Sequence, residues 1–252
     1  MKKTLRILLF LIVISGCSKN DGAINTTIQD EMYFPDLNSD QWETLSSEEL
    51  DWNSSAIENL YDFLSQNNTR AFIVLKNGKI VLENYWGNNL QNTAAFDRNT
   101  NWYWASAGKT LTALLTGIAQ ENGLLSIEDK SAMYLGNGWT SLSESQEGLI
   151  KIKHQLTMTT GLDYEVDNLN CTEPNCLTYK NPPGTEWFYH NASYTLLTDI
   201  IENASQTSYN TFSDQNIEFK IGMNGNWIKS NYNTIYWSTA RDMARFGLLI
   251  LN

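Results

Sequence analysis

Ser106-Ala107-Gly108-Lys109 sets a hydroxyl and an amine three residues apart. On a helix that spacing puts both side chains on one face, within reach of each other. A desolvated amine gives up its preference for the ammonium form and can accept the serine proton. A helix N-terminus at the same place favours negative charge developing on the oxygen. The chemistry implied is nucleophilic attack by Ser106 with Lys109 as its activating partner. The plainer alternative is a helix-capping serine beside a surface lysine. With 20 serines and 12 lysines in the chain, chance alone supplies about one such tetrad, so spacing by itself decides little.

A second constellation is Tyr189-His190-Asn191, which follows Pro182-Pro183-Gly184 and directly precedes a helical pattern. A phenol near an ammonium group can relay a proton, because the cation favours its ionised form. Asn191 can cap the following helix with its side chain facing the same cleft. The alternative is an aromatic core residue beside a cap. The other Y-x-N triplet, Tyr179-Lys180-Asn181, lies in a cysteine-bearing loop and has no such support. Cys171 and Cys176 enclose Thr-Glu-Pro-Asn and read as a short disulfide staple, with free thiols as the alternative. His154 at a helix start reads as a cap or a packing residue. Gly108-Lys109-Thr110 imitates a phosphate-binding loop, but Tyr103 stands where that motif needs glycine, so a nucleotide site is rejected. No G-x-S-x-G elbow is present, which disfavours a Ser-His-Asp hydrolase.

Positioning these groups needs a scaffold, and its strongest local signal is Ala71 to Lys76, then Asn77-Gly78, then Lys79 to Trp86. Asn-Gly tolerates the positive φ of a two-residue turn, so the segment predicts an antiparallel hairpin. Leu111, Leu114, Leu115 and Ile118 fall at helical spacing, with Gly123 placed to end the helix and Ser106 at its beginning. Ser54 and Ser55 cap a helix over Ile57, Leu60, Tyr61 and Leu64. Further helices are predicted from Lys151 to Thr160, from Ala192 to Asn203 and from Ser238 to Leu251. Trp102-Tyr103-Trp104 could line an apolar acyl pocket or pack in the core. Two strands cannot make a stable sheet alone, so the visible strand content is small for such an architecture.

The chain has 252 residues with 18% charged and 42% hydrophobic, enough for one sizeable core and too varied for a disordered or fibrous protein. Its net charge of −11 argues against nucleic acid as a partner. Two histidines and three cysteines leave no multi-histidine metal centre, and neither metal nor cofactor is expected. Lys2, Lys3 and Arg6 precede an apolar run from Ile7 to Ile14, too short to span a bilayer, so 1–16 reads as a secretory leader. Ile14-Ser15-Gly16-Cys17 resembles a bacterial lipobox, which makes Cys17 the acylated first residue of a lipid-anchored envelope protein. Residues 17–45 are polar and aperiodic and read as a tether, with a catalytic domain over 46–252.

Taken in order, several segments resemble the β-lactamase-related serine hydrolases: class C β-lactamases, low-molecular-weight penicillin-binding proteins, and the esterases and 6-aminohexanoate-dimer hydrolases of the same fold. They are Phe72 to Val81, Ser106-Ala107-Gly108-Lys109, Leu156 to Leu162, Pro183-Gly184 before Tyr189-His190-Asn191, Ile221-Gly222-Met223, and Ser238 to Gly247. The resemblance implies an α+β fold, an antiparallel sheet flanked by a large helical subdomain. It implies Ser106 as nucleophile, Lys109 as its activator, Tyr189 as proton relay to the leaving group and Asn191 as a substrate-positioning side chain. It also implies a third motif, Lys-Thr-Gly or similar, on a C-terminal strand that supplies an oxyanion-hole N–H, and no segment here fits it. Losing one such donor costs about 10²–10³ in rate. The expectation is therefore a domain incomplete at its C-terminus, its last sheet strands absent from this chain. The function expected is hydrolysis of an amide or ester bond in a small molecule or peptide through an acyl-serine. The alternative is a catalytically silent envelope lipoprotein that keeps the fold to bind a peptide or glycan. The sequence says nothing of oligomeric state.

Overall fold

A computed structural model describes residues 32–252; Cys17, the leader and the first part of the expected tether lie outside the described residues. The order of elements is α1 (Ser54–Gln66), β1 (Ala71–Lys76), β2 (Lys79–Tyr85), β3 (Trp102–Tyr103), α2 (Gly108–Glu121), α3 (Ala132–Leu135), α4 (Glu144–Glu147), α5 (Ile152–Leu156), α6 (Asn191–Thr195), α7 (Leu197–Ser205), α8 (Tyr209–Ser213), α9 (Phe219–Ile221), β4 (Asn226–Ser230), β5 (Asn233–Ser238) and α10 (Ala240–Leu251). A π-helical turn, Asp214–Glu218, joins α8 to α9. The fold is α+β: helices packed around two small antiparallel sheets, β1-β2 and β3-β5-β4.

The β1-β2 hairpin forms where Asn77-Gly78 allows it, with Asn77 at φ 49° and Gly78 at φ 80°. Gly78 is required twice over, because a side chain there would also run into the Tyr33 carbonyl. A second hairpin, β4-β5, escaped the sequence reading. It turns at Asn231, with φ 53°, and pairs Trp227 with Tyr236 and Ile228 with Ile235. The two-residue β3 joins its other edge, Trp102 opposite Ser238 and Tyr103 opposite Trp237. The strand content is thus larger than the sequence suggests.

The helix α2 buries Leu111, Leu115 and Ala119 against α7, which contributes Leu197, Ile200 and Ile201, all inaccessible to solvent. The same core takes in Trp104, Tyr209, Phe212, Trp227, Tyr236 and Phe246. Burying an aliphatic side chain of this size stabilises by about 1.5–3 kcal/mol, so this cluster is what holds the segment before α2 in place.

Several boundaries are corrected. Asn53, not Ser54 or Ser55, caps α1, its side chain accepting from the Ala56 N–H at 3.1 Å. The helix expected over 151–160 is the short α5, and the one expected over 192–203 divides at Leu196 into α6 and α7. Asn191 is not a cap: His190 occupies the cap position with extended backbone, and Asn191 is the first helical residue. Thr239 caps α10, exchanging hydrogen bonds with Asp242.

The tether expected over 17–45 is corrected for 32–45, which belong to the folded body. Thr44 bridges Ile80 in parallel on the outer edge of β2, and the Trp42 indole N–H donates to the Gly78 carbonyl at 2.7 Å. From α10, Arg245 donates to the carbonyls of Asp36 at 2.8 Å and Ser39 at 3.1 Å, and Arg241 donates to that of Asp40 at 2.7 Å. Polar residues lie flat here because two arginines take up their backbone carbonyls.

Arg241 also makes a forked pair with Glu83 of β2, two bonds of 2.7 Å. Burial pushes the Glu83 carboxyl up, but hydrogen bonds from Arg241 and Tyr85 and the guanidinium charge outweigh it and hold it below its usual value. Arg241→Ala should therefore lower the urea midpoint by an amount equivalent to about 1–3 kcal/mol, between an exposed and a fully buried pair. In the parent chain the contribution is present above the usual carboxylate value of 4.5 and fades as pH falls through the lower folded value; the variant should lack that acid dependence. An unchanged midpoint would show that the fork does not join α10 to the hairpin.

Candidate active site

The site begins where β3 ends. Trp104 is 5% exposed; its N–H donates to the Tyr236 carbonyl at 2.8 Å and its indole N–H to Ser238 Oγ at 2.8 Å. Ala105 then takes φ 46°, a left-handed conformation that a residue with a Cβ adopts only at a cost of about 1–3 kcal/mol. The turn it makes leads through a 3₁₀ segment, Ala105–Ala107, into α2. Ser106 emerges exposed at the helix entrance.

Lys109 lies one turn on, its Nζ donating to Ser106 Oγ at 3.3 Å. The amine stands 5.2 Å from the Tyr189 ring centroid and 5.7 Å from that of Tyr194, within the range of cation–π attraction. The Tyr194 hydroxyl donates to the Lys109 carbonyl at 2.8 Å, which fixes the first turn of α2 against α6. The Trp227 ring packs against that turn at Gly108, where even a Cβ would meet it at an ordinary contact distance of 3.5 Å.

Tyr189 stands beside this pair, its ring centroid 5.2 Å from Lys109 Nζ. Partial burial pushes its pKa up, but the polar influence of Ser106 and Lys109 and the Lys109 charge outweigh it, so the phenol ionises below its ordinary 10.0. Behind Ser106 a cleft of about 200 Å³ is lined by Ser106, Lys109, Asn191, Tyr194, Thr195 and the β5 residues Asn233 to Ile235, among others. A hydroxyl, an amine and a carboxamide thus line one concavity, with the Tyr189 ring 5.2 Å from the amine, a set able to support nucleophilic attack with proton transfer. A larger polar cleft of about 740 Å³ borders Asp40, Arg98, Arg241 and Arg245. None of Ser106, Lys109, Tyr189 and Asn191 lines it.

Other residues fall elsewhere. Cys171 and Cys176 are joined as a disulfide. His154 caps α5, its Nδ1 accepting from the Lys151 N–H at 3.1 Å. Of Trp102-Tyr103-Trp104, the last is core, the first two stack at 5.3 Å, and none lines the cleft behind Ser106. Tyr179 pairs with Leu162, outside that cleft. Among the described residues no group of three or more His, Cys, Asp or Glu is placed to hold a metal ion. The sequence reading missed Tyr194, Asn233 and Asn170; Asn170 accepts from Asn191 Nδ2 at 3.0 Å. Tyr194 and Asn233 could have been sought only from the long-range packing of α6 and β5.

Comparison with known proteins agrees with the fold. An uncharacterized protein of Alkalihalophilus pseudofirmus is 28% identical over 155 residues, 60% of this chain and 42% of that protein. Penicillin-binding protein 4* of Bacillus subtilis is 31% identical over 142 residues, 50% of this chain and 30% of that protein. The chain therefore spans less than half the length of these relatives. A solved structure described as "Putative 6-aminohexanoate-dimer hydrolase" from Bacillus anthracis superposes with a TM-score of 0.65 at 21% identity, over 87% of this chain and 64% of that one; at that identity the likeness is one of fold. The family model for beta-lactamase matches residues 66–252, which takes in both hairpins, the Ser106 turn and α10, and by that match the chain belongs to the beta-lactamase family.

Proposed function

We propose that this protein is a serine hydrolase that cleaves an amide or ester bond through an acyl-serine intermediate. Family membership supports hydrolase chemistry of the serine type in general terms. The observation that carries the finer reading is the contact of Lys109 Nζ with Ser106 Oγ at 3.3 Å, with the Tyr189 ring 5.2 Å from the same amine. Ser106 Oγ attacks the carbonyl carbon; its proton passes through the Lys109–Tyr189 pair to the leaving amine or alcohol. Water then attacks the acyl-serine by the reverse route and frees the acid. Asn191 positions the substrate in the cleft.

A binding-only envelope protein that keeps the fold to hold a peptide or glycan is the second reading. A reactive probe separates the two. A fluorophosphonate should label the folded chain, and Ser106→Ala should abolish labelling. No adduct on folded parent would favour the binding protein, and an adduct persisting in the variant would refute Ser106 as nucleophile.

Tyr189→Phe should lower kcat/KM on an activated ester by about 10²–10⁴-fold, the range for a positioned proton-transfer group. In the parent the rate should climb with pH as the phenol ionises, with a midpoint below 10.0; the variant should lose that limb. A limb unchanged in the variant would assign the titration to another group.

We also propose that the protein is a lipid-anchored resident of the bacterial envelope, with Cys17 acylated. The Cys171–Cys176 disulfide supports an oxidising compartment. Palmitate fed to an expressing bacterium should appear on the parent chain and not on Cys17→Ala; equal incorporation would remove Cys17 from the proposal.

A further inference from the structure

The larger cleft, of about 740 Å³, has no part in the chemistry at Ser106. Its size is that of a ligand site, about 300–1,000 Å³. Five carboxamides line it, those of Asn38, Asn99, Asn101, Asn224 and Asn226. Among the described residues none of the five side chains makes a hydrogen bond. The asparagines of the Ser106 cleft differ, since Asn191 and Asn233 both donate to Asn170 Oδ1, at 3.0 and 3.3 Å.

The backbone that carries these free amides is held. On one wall Arg245 and Arg241 take the carbonyls of Asp36, Ser39 and Asp40. On the other, the Asn224 N–H donates to Asp242 Oδ1 at 3.1 Å, and Asn226 opens β4 opposite Trp237 of β5. The Asn99 N–H donates to Asp97 Oδ1 at 3.0 Å. Polar groups presented on a fixed main chain lose little further freedom when a ligand binds.

Charge narrows the kind of ligand. Three guanidiniums and two carboxylates line the cleft. Glu83 forks onto Arg241, and what is left, Arg98 and Arg245 against Asp40 and Asp242, sums to zero. An anion therefore finds no net field to follow. A neutral ligand must be recognised through hydrogen bonds, and each carboxamide offers donors and an acceptor side by side. Neighbouring hydroxyls of a sugar ring are their complement, because each can both give and take a proton. Trp42, fixed by its indole N–H on the Gly78 carbonyl, adds aromatic surface to this otherwise polar lining.

We propose that this cleft is a binding site for a neutral oligosaccharide, separate from the Ser106 cleft. It holds whether or not Ser106 is a nucleophile. Calorimetric titration of the full chain with cellotetraose, maltotetraose and chitotetraose tests it, with tetragalacturonate as the acidic sugar and tetra-alanine as the peptide. At least one neutral sugar should bind, with affinity changed by less than about twofold as salt is raised, since screening acts on charges. Asn99→Ala combined with Asn226→Ala should weaken that sugar about tenfold or more, through the loss of two hydrogen-bonding groups, and leave the urea midpoint unchanged. Arg98→Glu should alter it by less than about threefold, because the ligand carries no charge. Saturating sugar should leave fluorophosphonate labelling of Ser106 at its original rate. Binding of none of the three sugars would overturn the proposal. So would tighter binding of tetragalacturonate or tetra-alanine, full affinity in the double variant, a large loss in Arg98→Glu, or a sugar that blocks labelling. A parent that binds sugar and takes no label would support the cleft and overturn the hydrolase reading alone.

Discussion

The buried indole of Trp104 is the joint on which the site depends. Its backbone N–H and its ring N–H are both committed to β5, to the Tyr236 carbonyl and to Ser238 Oγ, and its ring packs edge-on against Tyr236 and Phe246. One side chain therefore ties together the sheet, the start of α10 and the core beneath α2. The next residue, Ala105, is forced into a left-handed turn. Such a turn persists only where the surroundings over-determine it, and here the determinants lie on both sides: Trp104 anchored to β5, and α2 anchored through Leu111 and Leu115. Ser106 stands exposed because the chain between two fixed points is short.

That arrangement explains what was legible in the sequence. The β1-β2 hairpin and α2 could be read because their determinants are local: Asn77-Gly78 supplies the turn, and a leucine stripe supplies the buried face. The Ser106–Lys109 pair followed from α2, since three residues on a helix fix the distance. The β4-β5 hairpin could not be read the same way. Its turn at Asn231 lacks a glycine, and β4 is exposed along most of its length, so alternation carries no strong apolar signal. Its strands exist because Trp227 and Tyr236 find a core made of distant helices. Residues 32–45 misled for a related reason: their partners, Arg241 and Arg245, come some two hundred residues later and bind main-chain oxygens, which leave no trace in side-chain pattern. The site's carboxamides were hidden likewise; Asn170 is distant in sequence from both Asn191 and Asn233, and the three meet only at the Asn170 oxygen that accepts from both.

The choice of neutral groups around the nucleophile has a physical logic. Among the described residues Lys109 is the one cation lining the cleft, and no carboxylate lines it with the serine. A carboxylate there would pair with the amine and draw it away from Ser106 Oγ and the Tyr189 phenol. Carboxamides offer donors and acceptors without competing for that charge and without the large penalty of burying an ion. The lowered pKa of the phenol follows from its polar neighbours, Ser106 first and then Lys109 with its charge.

The same region also concentrates unsatisfied polarity. Both ring nitrogens of His190 and Oδ1 of Asn191 are buried without hydrogen-bond partners among the described residues, two adjacent residues following Tyr189. Each such group destabilises a fold by about 1–3 kcal/mol, and burial holds the His190 imidazole toward its neutral form against the opposing charge of Asp163. A chain selected for stability alone would place apolar residues at a helix start packed this deeply. The polar triplet persists because its neighbours hold it: Tyr194 on Lys109, Asn170 on Asn191, and Gln155, whose amide donates to the Ser193 carbonyl at 2.8 Å. Local preference and global fold disagree here, and disagreement of that kind gathers where a protein's chemistry resides. The plainer reading, an aromatic packing residue beside a cap, leaves the orphaned polar atoms without an account.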